Sequence, residues 1–167
     1  VSPLINRRSG QEQIFSLPDS CPVCGAPITK AATESVSRCS NPSCSAQLLE
    51  SLKHFVSREG MDIDGVGAKL CSNLVASGLI KDISDIYSLS KNDLLSLERM
   101  GDKSADNIVY AIEVSKNRPL SSVIFALGIL HVGSEIADLL ASYYGSIKTI
   151  SLASEEELMT IPGVGET

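Results

Sequence analysis

With 167 residues, 43% of them apolar but only 4% aromatic and none Trp, the chain is long enough for one ordinary domain or two small ones, and its composition excludes disorder. So few aromatics argue against a β-sandwich and for Leu- and Ala-rich helices. A formal net charge of -6 excludes the general positive field that most polyanion binders carry. In chain order, the start Val1-Ser2-Pro3-Leu4 lacks the charged-then-apolar order of a signal peptide. No apolar run approaches the roughly 18 residues that suggest a membrane span. A cytoplasmic protein with no membrane partner is expected. It begins without Met and stops within Pro162-Gly163-Val164-Gly165-Glu166-Thr167, so a piece of a longer protein is expected too. Residues 1–19 read as a linker, in which Arg7 and Arg8 either touch a polyanion or only solvate the chain.

Next come Cys21-Pro22-Val23-Cys24-Gly25 and Cys39-Ser40-Asn41-Pro42-Ser43-Cys44, two close pairs separated by 14 residues. Tetrahedral Zn²⁺ takes four soft ligands, and each short Cys knuckle supplies one side of it. Gly25 relieves the first turn and Asn41-Pro42 supplies turn chemistry within the second. The stretch from Ile28 to Arg38, with Thr29, Thr33, Val36 and Ser37, suits a short hairpin. The rival readings are a disulfide pair and a redox site. An expected cytoplasmic setting argues against the first, and the lack of a strand before Cys21 argues against the second. Four sulfurs leave no open position, so the metal is expected to fold residues 20–50 and not to catalyse.

From residue 61 the chain repeats itself. The segments Ile63-Asp64-Gly65-Val66-Gly67, Leu97-Glu98-Arg99-Met100-Gly101, Ile129-Leu130-His131-Val132-Gly133 and Ile161-Pro162-Gly163-Val164-Gly165 start 34, 32 and 32 residues apart. Asp93-Leu94-Leu95-Ser96-Leu97 matches Glu157-Leu158-Met159-Thr160-Ile161, each after a stretch suited to capping a short helix. Beyond the glycines, Leu70, Leu74 and Val75 keep helical spacing, as do Ile108, Val109 and Ile112, and likewise Ile136, Leu139, Leu140 and Tyr143. The unit predicted is helix, tight Gly turn, helix. Such short helices cannot bury their apolar stripes alone, so residues 51–167 are expected to pack as one compact all-helical domain with its fourth motif truncated.

A Gly-apolar-Gly turn entering a helix suits a phosphate: the backbone approaches closely, first-turn amides point outward, and the helix dipole adds positive potential. Lys69 and Lys103 follow the turn glycines by two places, within reach of the same group. The charge is graded, with 6 Lys/Arg against 5 Asp/Glu in residues 1–60, 7 against 9 in 61–119, and 1 against 6 in 120–167. Binding must then rest on amides and a few placed cations, and be salt-sensitive and blind to sequence. The turns are not equal. Arg99 and His131 replace the first glycine of the second and third, and Glu135 stands where the first two units have Lys, so the first and fourth are expected to be the better sites. The alternative is that the glycines only end helices.

This order, a four-cysteine finger and then four helix-hairpin-helix motifs, resembles bacterial NAD-dependent DNA ligase over about residues 20 to 167. The likeness is strongest in Leu52-Lys53-His54-Phe55-Val56-Ser57-Arg58, Met61-Asp62-Ile63-Asp64-Gly65, Phe125-Ala126-Leu127-Gly128-Ile129 and His131-Val132-Gly133. The resemblance implies that Cys21, Cys24, Cys39 and Cys44 hold structural Zn²⁺, and that Gly65, Gly67, Gly101, Gly133, Gly163 and Gly165 form phosphate-facing turns. It implies further that the chain grips the minor-groove side of nicked duplex DNA within an enzyme that seals nicks in replication and repair, near the nucleoid. No Lys-x-Asp-Gly adenylation motif is present. NAD, Mg²⁺ and the adenylation and oligonucleotide-binding domains therefore belong to other parts of such a protein, and the fragment is expected to be non-catalytic. Two rivals remain, a stand-alone DNA-junction or repair scaffold and a structural protein-docking module.

Single residues have plainer readings. Cys71 aligns with Ala105 and Ala137, which predicts a small buried side chain. His54 is expected on a helix surface or in packing, and Glu155-Glu156-Glu157 as the acidic first turn of a helix capped by Ser154.

Overall fold

The computed structural model describes residues 5–11, 13, 16–30 and 36–165. Packing divides the chain into two units, Val1–Cys44 and Ser45–Thr167. In the first, Ile5–Arg7 make a single 3-10 turn. Strands β1 (Ile28–Thr29) and β2 (Arg38–Cys39) pair antiparallel, with Ile28 opposite Cys39. The expected hairpin is present as these paired ends. Its tip, residues 31–35 with Thr33, lies outside the described residues, as do residues 1–4, 12, 14 and 15 of the expected linker.

The second unit is helical. It runs α1 (Ser45–Phe55), α2 (Ala68–Ala76), a 3-10 turn Ile83–Ser88, α3 (Lys91–Leu95), α4 (Asp102–Ser115), α5 (Leu120–Ala126), α6 (Ser134–Tyr144), α7 (Ile147–Leu152) and α8 (Glu155–Met159). The mainly helical fold class is thus observed, with α1–α2, α3–α4 and α5–α6 as successive hairpins and α8 leading into the fourth turn. Short helices such as α3 and α8 gain few internal bonds, so local caps matter. Each has one: Ser90 and Ser154 accept from the N3 amide, while the N3 acids Asp93 and Glu157 accept from the cap amide. This reciprocal box is the device that the matched flanks predict. No helix among the described residues is long and apolar enough to cross a membrane.

Two apolar clusters hold the unit. The larger is built from α1 to α4 and includes Leu52, Leu74, Ile86 and Leu94, all fully buried. The smaller gathers Ile124, Ala137, Leu140 and Ile161 from the last two hairpins. Helix α5 serves both, since Ala126 belongs to the first cluster and Ile124 to the second. His54 of α1 fixes that wall: its Nε2–H donates to the Phe125 carbonyl at 2.8 Å, and its ring lies 4.7 Å from the Phe125 ring. A carbonyl accepts only, so the contact sets the His54 tautomer. Cys71, Ala105 and Ala137 are all buried, at 0%, 0% and 1% exposure, as their equivalence in the repeats requires. Burial pushes the Cys71 thiol pKa up.

After α1 the chain folds back on its own end. Met61 N–H donates to the Phe55 carbonyl at 2.9 Å and Ile63 N–H to that of Val56 at 3.1 Å. Arg118 clamps the bend by donating to the carbonyls of Gly60 and Arg58, both at 3.2 Å. A Cβ at Gly60 meets the Phe55 carbonyl oxygen at 2.7 Å, the His54 carbonyl oxygen at 3.0 Å and the Ala126 Cβ at 3.2 Å. Backbone oxygens cannot swing aside. Gly60→Ala should therefore destabilise the helical unit by about 2 kcal/mol, the range of local overpacking. A thermal melt followed by far-UV circular dichroism checks this, and an unchanged midpoint counts against the tight bend.

Candidate metal centre and anion-binding turns

The metal-ligand candidates meet where two knuckles close on each other. In the first, Gly25 N–H donates to the Cys21 carbonyl at 2.8 Å and Cys21 N–H to Ala26 at 2.7 Å, with Gly25 at φ +72°. In the second, Cys44 N–H donates to the Asn41 carbonyl at 3.1 Å, and Ser43 N–H to Asn41 Oδ1 at 3.0 Å. The β1–β2 pair and Ser40 N–H to Pro27, 3.0 Å, carry one knuckle to the other. All four sulfurs then fall within 4.8 Å of one another. Cys24 and Cys39 are 3.4 Å apart and Cys21 and Cys44 3.9 Å.

These spacings decide between the rival readings. A disulfide bond is about 2.05 Å long, so neither pair is bonded. Four thiolates at about 2.3 Å from a tetrahedral Zn²⁺ lie roughly 3.8 Å apart, which the observed separations bracket. The donor set is all sulfur, the choice of Zn²⁺ over harder cations. The four cysteines are positioned for a zinc ion.

The thiols differ in acidity. The Ala26 N–H holds the Cys24 thiol down at about 6, and the Cys24 and Val23 amides lower Cys21. At Cys39 the Asn41 amide favours the thiolate, but burial and the neighbouring Cys24 and Cys21 outweigh it and raise the group to about 11. Crowded thiolates repel, and a dication at their centre reverses the sign of that interaction.

The hairpin turns share one geometry. Val66 N–H donates to the Ile63 carbonyl at 3.2 Å, Met100 to Leu97 at 3.3 Å, Val132 to Ile129 at 3.0 Å and Val164 to Ile161 at 3.0 Å. The third residue of each is left-handed: Gly65 at φ +81°, Arg99 at +64°, His131 at +65° and Gly163 at +90°. An i to i+3 bond with positive φ at i+2 but not at i+1 marks a type II turn, and none of Asp64, Glu98, Leu130 and Pro162 has positive φ. The departures at Arg99 and His131 therefore leave the turn intact. Packing explains where glycine is retained. A Cβ on Gly65 meets Ile108 of α4 at 3.2 Å, and one on Gly163 meets Ile136 of α6 at 3.2 Å. The first turn packs on the second hairpin, and the fourth on the third.

Each turn delivers a glycine that begins a helix. Gly67, Gly101 and Gly133 are the N-caps of α2, α4 and α6, in extended conformation and with no side-chain cap bond. Four other helix starts in the unit are capped by side chains, Asp82 at the 3-10 turn, Ser90 at α3, Ser146 at α7 and Ser154 at α8, while α5 begins on Pro119 without one. Lys69 and Lys103 stand exposed in the first turns of α2 and α4, and neither forms an ion pair among the described residues. Between the first two turns lies a groove of about 700 Å³, lined among others by Gly65, Gly67, Lys69, Arg99, Ser104 and Asn107. Sequence reasoning misses Ser104 and Asn107, which follow Lys103 at helical spacing beside Arg99. Gly165 ends the described residues; Glu166 and Thr167 lie outside them. Arg7 is exposed on the 3-10 turn of the first unit.

Comparison with known proteins follows the same division. Residues 20–46 match the NAD-dependent DNA ligase C4 zinc finger domain, residues 58–113 the SAM-like helix-hairpin-helix tandem, and residues 122–167 the helix-hairpin-helix motif. The chain is 49% identical to a DNA ligase of Syntrophotalea carbinolica, over 99% of its own length and 25% of that protein. It is also 49% identical to a DNA ligase of Halothermothrix orenii, over 100% and 25% of the two chains, and 47% identical to one of Geobacter sulfurreducens, over 99% and 25%. The chain thus spans about a quarter of the length of the curated relatives it matches.

Metal removal tests the cluster. One zinc per chain is expected by atomic emission, and Cys44→Ser should lower zinc retention on dialysis against a chelator by tenfold or more. Stripping the metal should expose residues 20–44 to proteases while the helical circular dichroism signal persists. Full protease resistance without zinc tells against a metal-built fold.

Proposed function

We propose, for a chain that corresponds to the zinc-finger and helix-hairpin-helix portion of the NAD-dependent DNA ligases, that it grips duplex DNA by its phosphates without reading sequence. One observation carries this reading: all three helices that follow hairpin turns begin on bare glycines, whereas α3, α7 and α8 begin on capping serines and α5, which follows no such turn, begins on Pro119. Glycine at the cap costs a helix only a few tenths of a kcal/mol relative to Ser or Asp, so the bare starts are cheap to keep. Leaving the first-turn amides of α2, α4 and α6 open suits an acceptor from outside the chain, and a phosphodiester oxygen at a helix N-terminus satisfies both amides and dipole.

In this reading Gly65, Gly67, Gly101, Gly133, Gly163 and Gly165 let the backbone approach the phosphates, and Lys69 and Lys103 add charge. Cys21, Cys24, Cys39 and Cys44 each donate a thiolate to Zn²⁺, which folds the finger and takes no part in chemistry. The duplex is nicked DNA held on its minor-groove side, and the whole protein is a DNA ligase acting at the nucleoid in the cytoplasm. NAD, Mg²⁺ and adenylation chemistry then belong to the adenylation and oligonucleotide-binding domains in the other three quarters of such a protein. The domain bounds of this reading are residues 20–50 for the finger and 51–167 for the hairpins.

Fluorescence anisotropy with labelled intact and nicked duplexes of two unrelated sequences, each across a salt series, tests it. Affinity should be the same for both sequences, fall steeply with salt, and be higher for the nick. Lys69→Gln and Lys103→Gln should each lower affinity and reduce the salt slope by about one. A minor-groove ligand should compete. Wild-type protein that ignores duplex at low salt rules the reading out.

A further inference from the structure

The second hairpin presents a conflict of charge. Its phosphate-facing helix α4 carries Asp102 as the first residue and Asp106 one turn later. Acids there favour the helix dipole but oppose an incoming phosphate. Lys91 lies against both, with Nζ 3.2 Å from an Asp102 oxygen and 2.9 Å from an Asp106 oxygen. The lysine comes from α3, where it is the first helical residue. A cation at a helix start works against its own dipole, so the benefit to α3 does not explain it. Its partners on α4 do. The two carboxylates, Asp106 before Asp102, hold the Lys91 ammonium above its usual pKa.

The other hairpins differ in this respect. Helix α2 has no acid in its first turn. Helix α6 has Glu135 there, and no cation pairs with it among the described residues. Where an acid stands beside a turn-flanking Lys, at Asp102 and Lys103, the chain reaches across from a preceding helix with a counter-charge.

We infer that Lys91 is a positioning residue for DNA binding: it offsets one of the two charges of Asp102 and Asp106, so that the open amides at the start of α4 meet a phosphate with less facing negative charge. The inference rests on the duplex-binding reading above and deepens it. Lys91 acts through the two aspartates and not by touching DNA itself, which sets it apart from Lys103. The third hairpin, whose Glu135 has no cation paired with it among the described residues, is the weaker grip.

A double-mutant cycle tests this on the 167-residue chain, using anisotropy with a labelled duplex across a salt series. Lys91→Gln should weaken binding about fivefold, the size of one unit-charge interaction near a protein surface, without changing the salt slope. Asp102→Asn alone should raise affinity by a similar factor, because the local charge sum then goes from one negative charge to none. Combined with Lys91→Gln it should recover most of the loss, since the local charge sum is then that of the wild type. Lys91→Arg should bind as the wild type does. Circular dichroism confirms that each variant keeps its helices. The inference is overturned if Lys91→Gln binds normally, if the double variant stays as weak as the single one with a salt slope lowered by about one, or if Lys91→Arg is as weak as Lys91→Gln. Wild-type protein that fails to bind duplex overturns the parent reading and this inference with it. A binding wild type with any of the other three results overturns this inference alone.

Discussion

The helical unit depends on a four-residue turn in which one residue is held left-handed. A helical chain must reverse direction within a few residues if short helices are to pack side by side, and the type II turn does so with a single i to i+3 bond. Its third residue sits at φ between +64° and +90° in all four copies. That conformation strains an ordinary side chain by about 1–2 kcal/mol and costs glycine almost nothing. Two consequences come from the same geometry. The next helix starts on an extended glycine with its amides facing out, and the turn residue at the first and fourth positions is pressed onto the partner hairpin, at Ile108 and Ile136. Stability and the open helix starts are therefore two results of one backbone choice.

Retention of the left-handed form at Arg99 and His131 shows how strongly the surroundings impose it. Each strained residue is flanked by anchors, Met100 and Val132, that pack onto the apolar clusters. Partial burial of such side chains contributes on the order of 1 kcal/mol each, comparable to the strain of one non-glycine residue held left-handed. The exposed pair of Glu98 and Arg99, at 3.3 Å, adds little, since both side chains are solvated. What Arg99 gains in this position is a place on the rim of the groove between the first two turns.

The features that depend on spacing are legible in the amino acids alone: the four-cysteine cluster, the repeat of the turns, the capped starts of α3 and α8, and a small buried side chain at Cys71. Metal ligation, turn chemistry and capping act over a few residues, so sequence distance stands for real distance. The features that depend on packing are not legible in that way. Nothing in Phe125 or His54 alone says that one ring lies against the other across 71 positions, nor that α5 divides its residues between two clusters. The departures at Arg99 and His131 suggest weakened turns only if residue type is equated with conformation. By sequence, Lys91 is one more surface lysine. Its role requires that the start of α3 lie beside the start of α4, which is tertiary information.

A net charge of -6 is a poor guide to the field at the turns, because several of the carboxylates are occupied locally. Asp82 accepts from Ser84, and Asp85 accepts from the amides of Lys81 and Asp82. Asp93 accepts from Ser90, and Asp102 and Asp106 share Lys91. The pKa values of Asp82, Asp85 and Asp93 are all lowered, by hydrogen bonds to Ser84, Lys81 and Ser90 respectively. A carboxylate that receives two N–H or O–H donors projects less of its charge outward than a bare one. The same residues that build the helix starts between the turns thus reduce the negative potential that the turns experience. A polyanion that approaches within a Debye length, about 8 Å at physiological salt, meets the local arrangement and not the sum.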